Sequence, residues 1–127
     1  MSYHFSKTLD LPFDQAVARV TEALKREGFG ILTDIDVRAT IKSKLGKDFR
    51  PYRILGACNP PLAFRALKLE ETIGTMLPCN VIVQEHENGV EVSAIDPVAS
   101  MQAVENAGLV EVAKEVQTKL KGVIEGL

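Results

Sequence analysis

Apolar positions along this chain recur with two periods. Phe13, Ala16, Val17, Val20 and Leu24 are three or four residues apart, which places them on one side of a helix. Pro12 suits its first turn, and Gly28 supplies the left-handed residue that ends it. Ahead of this helix Tyr3 and Phe5 alternate with His4, Ser6 and Thr8, the two-residue period of a half-buried strand that leaves His4 on the polar side. Beyond it, Ile31, Leu32 and Ile35 predict a second strand. Val37, Ile41 and Leu45 repeat every four residues between a capping Asp34 or Asp36 and Gly46, which predicts a short helix despite the β-branched content.

The run from Tyr52 to Ala57 is short, mostly apolar and bounded by Pro51 and Pro60, as a buried strand requires. Asn59 then caps a helix begun by Pro60 and Pro61, carried by Leu62, Ala63, Ala66 and Leu67, and stopped by Gly74 and Pro78. Val81 and Val83 alternate with Asn80, Ile82 and Gln84, and the chain returns through Val90, Val92 and Ala94 after a turn at Asn88-Gly89. Asp96-Pro97 opens a short helix. Gly108 separates it from a longer one striped by Leu109, Val112, Val116, Leu120 and Ile124. Helices interleaved with strands, plus one hairpin, predict an α+β domain over residues 1–127: a mixed, largely antiparallel sheet of about five strands with helices packed on one face.

With 46% hydrophobic and 25% charged residues, the chain has ordinary globular composition. Its net charge of −2, mixed along the sequence, offers no basic face for a nucleic acid. The densest basic stretch, Lys42, Lys44, Lys47, Arg50 and Arg53, reads as a solvated surface or as a local anion site. No leader and no run of about 20 apolar residues is present, so a cytoplasmic protein without a membrane partner is expected. In that compartment the two cysteines stay unbridged.

Those cysteines carry the candidate chemistry. Cys58 precedes a capped helix whose free amides favour an anion, so it is either a stabilised thiolate or a small buried hydrophobe. Asn59 either caps that helix or donates to a bound oxyanion. Cys79 and Asn80 repeat the dipeptide after Pro78. Arg53 is a possible anion partner, and Asp96 a cap or a carboxylate. One straight helix over residues 60–76 would hold the two dipeptides about 25 Å apart. A break between Glu70 and Gly74 would bring them together. The first reading is a non-enzymatic module binding a small, possibly anionic ligand in a pocket of Cys58, Asn59, Cys79 and Asn80. The alternatives are a thiol redox enzyme or switch, with Cys58 as nucleophile and Cys79 assisting, and a site for a soft metal or metalloid at the two thiolates. Zinc is not expected, since His4 and His86 are the only histidines available. No motif names a cofactor.

The segments Phe49 to Pro60, Leu77-Pro78-Cys79-Asn80-Val81 and Ser93-Ala94-Ile95-Asp96-Pro97 resemble the bacterial and archaeal family called domain of unknown function 302. The resemblance spans nearly the whole chain and implies a small α+β fold, a homodimer, and motif positions at Arg50, Pro51, Tyr52, Cys58, Asn59, Pro60, Pro78, Cys79, Asn80, Asp96 and Pro97. It implies no established reaction.

Overall fold

The computed structural model describes residues 2–127. Strand β1 (His4–Leu9) leads to helix α1 (Phe13–Arg26), strand β2 (Gly30–Asp36), helix α2 (Val37–Leu45) and strand β3 (Tyr52–Cys58). Helix α3 (Pro60–Leu69) and a 3₁₀ turn (Glu71–Met76) follow. The hairpin of β4 (Cys79–His86) and β5 (Gly89–Ile95), the one-turn helix α4 (Pro97–Ser100) and the long helix α5 (Ala107–Glu125) complete the chain.

The strands form one five-stranded sheet in the order β1-β5-β4-β3-β2, and every neighbouring pair is antiparallel. The chain is therefore α+β as the pattern predicts, with no parallel pair among the described residues. One sheet face is apolar because strand side chains alternate: Leu9, Leu55, Ala57, Val81, Val83, Val90, Val92 and Ala94 are buried there with Ala16, Val20 and Leu24 of α1 and Leu109, Val116 and Leu120 of α5. The opposite strand positions carry Asn80, Ile82, Gln84, Glu91 and Ser93. Helix α2 forms as the four-residue repeat predicts, capped by Asp36, which accepts from the Ala39 amide, and ended by Gly46 at φ 65°. None of its residues is buried.

Two local features differ from the pattern. The two-residue loop of the hairpin is Glu87-Asn88, and Gly89 is already the first residue of β5, paired with His86. Its φ of 136° lies in the region that favours glycine, and a Cβ there would stand 2.7 Å from the Leu9 carbonyl oxygen of β1. Second, the helix after Asn59 ends at Leu69, because Glu70 is extended at φ −146° and the chain continues as the 3₁₀ turn. Asn106, the cap of α5, fixes this break: its Nδ2 donates to the Leu69 carbonyl at 2.7 Å and to Glu70 Oε1 at 3.2 Å.

That break returns the chain to the end of the sheet from which it left. Gly56 pairs with Asn80 and Ala57 with Cys79. Gly56 also lies beneath Thr33 and Pro78, with Pro78 Cγ 2.7 Å from where a Cβ would stand. Both the Thr33 side chain and the Pro78 ring would have to give way to an added methyl group. Gly56→Ala is therefore expected to cost about 1–3 kcal/mol, measurable as a lowered denaturation midpoint; an unchanged midpoint would show that the β3–β4 end yields freely.

Candidate functional site

The end of the sheet where β3 finishes and β4 begins opens into a cavity of about 280 Å³. Ala57, Cys58 and Cys79 line it from the sheet, Phe29 from the turn between α1 and β2, Leu62, Ala63 and Leu67 from α3, Val112, Ala113 and Val116 from α5, and Pro97 and Met101 from the start and the end of the α4 turn. Leu32 stands at its rim, 67% exposed, where a bulge between Ile31 and Thr33 removes it from the register of β2 with β3. Among the described lining residues, Asn59 carries the one side-chain nitrogen or oxygen.

Asn59 is occupied in holding the fold together. Its Oδ1 accepts from the Leu62 amide at 3.4 Å, capping α3, and its Nδ2 donates to the Glu27 carbonyl at 3.3 Å, tying the end of α1 to the start of α3. Both cysteines are unbridged, Cys58 half-buried and Cys79 buried at 8% exposure. The Cys79 thiol has no hydrogen-bond partner among the described residues, and its pKa is pushed up to about 11, first by burial and then by the nearby Cys58 charge. At neutral pH it is a protonated, weakly nucleophilic group.

The remaining sequence candidates are distributed elsewhere. Asn80 is exposed and belongs to a groove on the opposite sheet face with Tyr52, Gln84 and Ser93. Arg53 forms a two-pronged pair with Asp34 of β2, Nε to Oδ1 at 2.7 Å and Nη2 to Oδ2, and this pairing holds the Asp34 carboxyl below its usual range. Asp96 caps α4: its Oδ1 accepts from the Val98 amide at 3.0 Å, the Ala99 amide at 3.4 Å and Gln117 Nε2 at 3.0 Å. Only its neighbour Pro97 reaches the cavity. The basic stretch is engaged piecemeal, Lys42 with Asp48 at 3.2 Å and Arg50 with Gln84 Oε1 at 2.9 and 3.0 Å. The fold thus gathers Cys58, Asn59 and Cys79 at one cavity and leaves Asn80, Arg53 and Asp96 outside it.

The opposite face holds an assembly that single-residue inspection missed. Arg50 lies over the rings of Phe49 and Tyr52, at 4.5 and 5.6 Å, and Gln84, 9% exposed, passes the interaction on to Glu91 through Nε2 at 3.1 Å. The sequence signal was slight: a glutamine and a glutamate at the polar positions of the hairpin, which face each other in register. His86 is exposed near Glu91, and His4 bonds to Ser6 at 2.8 Å, so neither histidine stands at the cysteines.

These elements define the class: a small α+β domain with a helix-covered antiparallel sheet and an apolar, cysteine-lined cavity at one sheet end. A family model described as domain of unknown function DUF302 matches residues 5–127, and the chain belongs to that family. It is similar to the crystal structure of an uncharacterised conserved DUF302 protein from Bacillus stearothermophilus, with 27% identity, a TM-score of 0.91 and 98% of each chain covered. No curated protein matches the chain. No helix among the described residues is long and apolar enough to cross a membrane.

Proposed function

We propose that this chain is a non-enzymatic binding module that encloses a small, largely apolar molecule in the cavity between the sheet end, α3 and α5. The apolar lining is the observation that carries this reading. A preformed concavity with few polar groups is the usual form of a small-molecule site. Its size suits a ligand somewhat larger than benzene, which occupies a dry cavity of about 150 Å³. An anionic ligand has little support, because Arg53 is paired with Asp34 and the one lining amide is spent on capping. A thiol enzyme has less support still: Cys79, the assisting thiol in that reading, is held protonated, and neither histidine lines the cavity to serve Cys58 as a base.

Ala63 projects from α3 into the lining without being fully buried, so Ala63→Phe fills the space with little disturbance to the core. Titration of the wild type with small aromatic and branched aliphatic compounds is expected to shift amide resonances at Leu62, Ala113 and Val116. The variant should weaken this binding at least tenfold while keeping its fold. Shifts that are absent, or unchanged in Ala63→Phe, would refute the reading.

Self-association as a homodimer and a cytoplasmic location belong to the same proposal. Leu32 and Ile35 on edge strand β2 and Leu45 on α2 are large exposed apolar residues that a second copy would cover. Two unbridged cysteines suit a reducing compartment. Sedimentation of the wild type against Leu32→Glu tests the dimer.

A further inference from the structure

Beside the cysteine-lined cavity lies a second hollow of about 260 Å³, between α4 and the first turns of α5. Val98, Val104, Leu109 and Val110 line it, and two further residues, Met101 and Ala113, line both it and the cavity. The two spaces thus meet at one flexible side chain and one small one. Helix α5 gives the direction: Leu109 lines the second hollow, Ala113 both spaces, and Val112 and Val116 the first. At 1.5 Å per residue, Leu109 and Val116 are about 10 Å apart along the helix axis. The wall at Met101 can open without moving the chain. Its amide donates to the Pro97 carbonyl at 3.1 Å and its carbonyl accepts from the Val104 amide at 3.0 Å, so the backbone is held on both sides. The half-buried side chain is unbranched, with three rotatable bonds, and adapts to irregular space. Ala113, 3% exposed, ends at its Cβ and obstructs little.

We propose that the two spaces form one elongated trough along α5, divided by the Met101 side chain, and that its occupant is a molecule with a linear hydrocarbon chain whose polar end stays in solvent. Volume and lining support this choice. A ligand pocket usually measures about 300–1,000 Å³. The two spaces, at about 280 and 260 Å³, each fall short of that range, and joined, at about 540 Å³, they lie within it. No charged side chain lines either space. Asn59 is spent on its two backbone contacts, and Gln102, which supplies the side-chain nitrogen and oxygen of the second hollow, is exposed. A buried polar group of the ligand would therefore go unpaired, which is costly. A linear chain presents only methylenes, and as the narrowest apolar shape of its length it asks for the least displacement of Met101. A compact aromatic occupies the first space alone.

This inference rests on the proposed cavity accepting an apolar solute, and it adds a second compartment that compact solutes do not need. The wild-type chain is titrated with neutral 1-alkanols from butanol to decanol, with amide resonances as the readout. Affinity is expected to rise about fourfold with each buried methylene through the whole series. The longer chains alone should add shifts at Val98 and Leu109 to those at Leu62 and Val116. Val110 is exposed where it lines the second hollow, so Val110→Phe fills that space from the solvent side. The variant should bind butanol and small aromatics as the wild type does and bind decanol weaker by about tenfold or more, the worth of roughly two methylenes. An affinity that levels off in mid-series, decanol binding without shifts at Val98 and Leu109, or decanol binding unchanged in Val110→Phe would overturn the proposal. The wild-type series holds as a test even if the variant fails to fold. Aromatic binding that persists beside any of these results leaves the apolar reading intact and ends this one alone; loss of all binding ends both.

Discussion

Phe29→Ala is expected to destabilise the chain by about 3–5 kcal/mol, the largest effect of any single truncation considered. Phe29 is 2% exposed and heads the fully buried side chains by volume. It sits between the end of α1 and the start of β2, where its amide bonds the Leu24 carbonyl at 2.9 Å, and it also walls the cavity. Removing a ring from well-packed surroundings creates a void that partial relaxation fills. Here the void would join a space that is already open, so the walls gain little by collapsing, and the cost should fall in the upper half of the range. Chemical denaturation followed by circular dichroism measures it. A loss below about 1 kcal/mol, well under the usual cost of such a truncation, would mean that the sheet end repacks and that the cavity is not a fixed feature.

The second large effect concerns pH. The Cys79 thiol is raised from an ordinary value of 9.0 to about 11 by burial and by Cys58. Below pH 9 the folded and unfolded chains both hold this proton and the stability is complete. Between pH 9 and 11 the unfolded chain releases it while the folded chain keeps it, so stability falls as pH rises. At about 1.4 kcal/mol per pH unit, the loss reaches about 3 kcal/mol by pH 11. Other groups titrate in the same window, so the quantity to measure is the difference in unfolding free energy between wild type and Cys79→Ala across pH 8 to 11. That difference should shift steadily against the wild type; a flat difference would show that the thiol is solvated.

Much of the architecture was legible because periodicity reports directly on which face is buried. The stripe from Phe13 to Leu24 and the alternation through Val81 and Val83 placed α1 and β4, and Asp36 with Gly46 bounded α2. The hairpin was visible from Asn88-Gly89, but its loop is one residue earlier, since the demand of β5 for a glycine beside the Leu9 carbonyl decides where Gly89 sits. The end of α3 was less visible. Nothing near Glu70 breaks a helix by itself, and the stop depends on Asn106, a residue 36 positions away. The break that this remote contact accompanies is what lets Cys58 and Cys79 line one cavity.

The site was legible in part for a related reason. Strand alternation already separates Cys79 from Asn80, so the repeated Cys-Asn dipeptide could not place all four side chains in one pocket; the cysteines share the cavity and Asn80 faces the other way. Arg53 was drawn to Asp34, a partner fixed by the pairing of β2 with β3 that sequence spacing does not show. The cavity itself left no mark, because Leu62, Val112 and Val116 have the same apolar character whether they touch a neighbour or an open space.

The central claim is that this open space exists and admits an apolar solute beside both cysteines. Crystals of the protein equilibrated under xenon test it most directly. The account predicts a xenon peak enclosed by Leu62, Val116 and Cys79, lost in Ala63→Phe. A cavity without xenon, or xenon bound solely in the groove beside Tyr52 and Ile82, would contradict it.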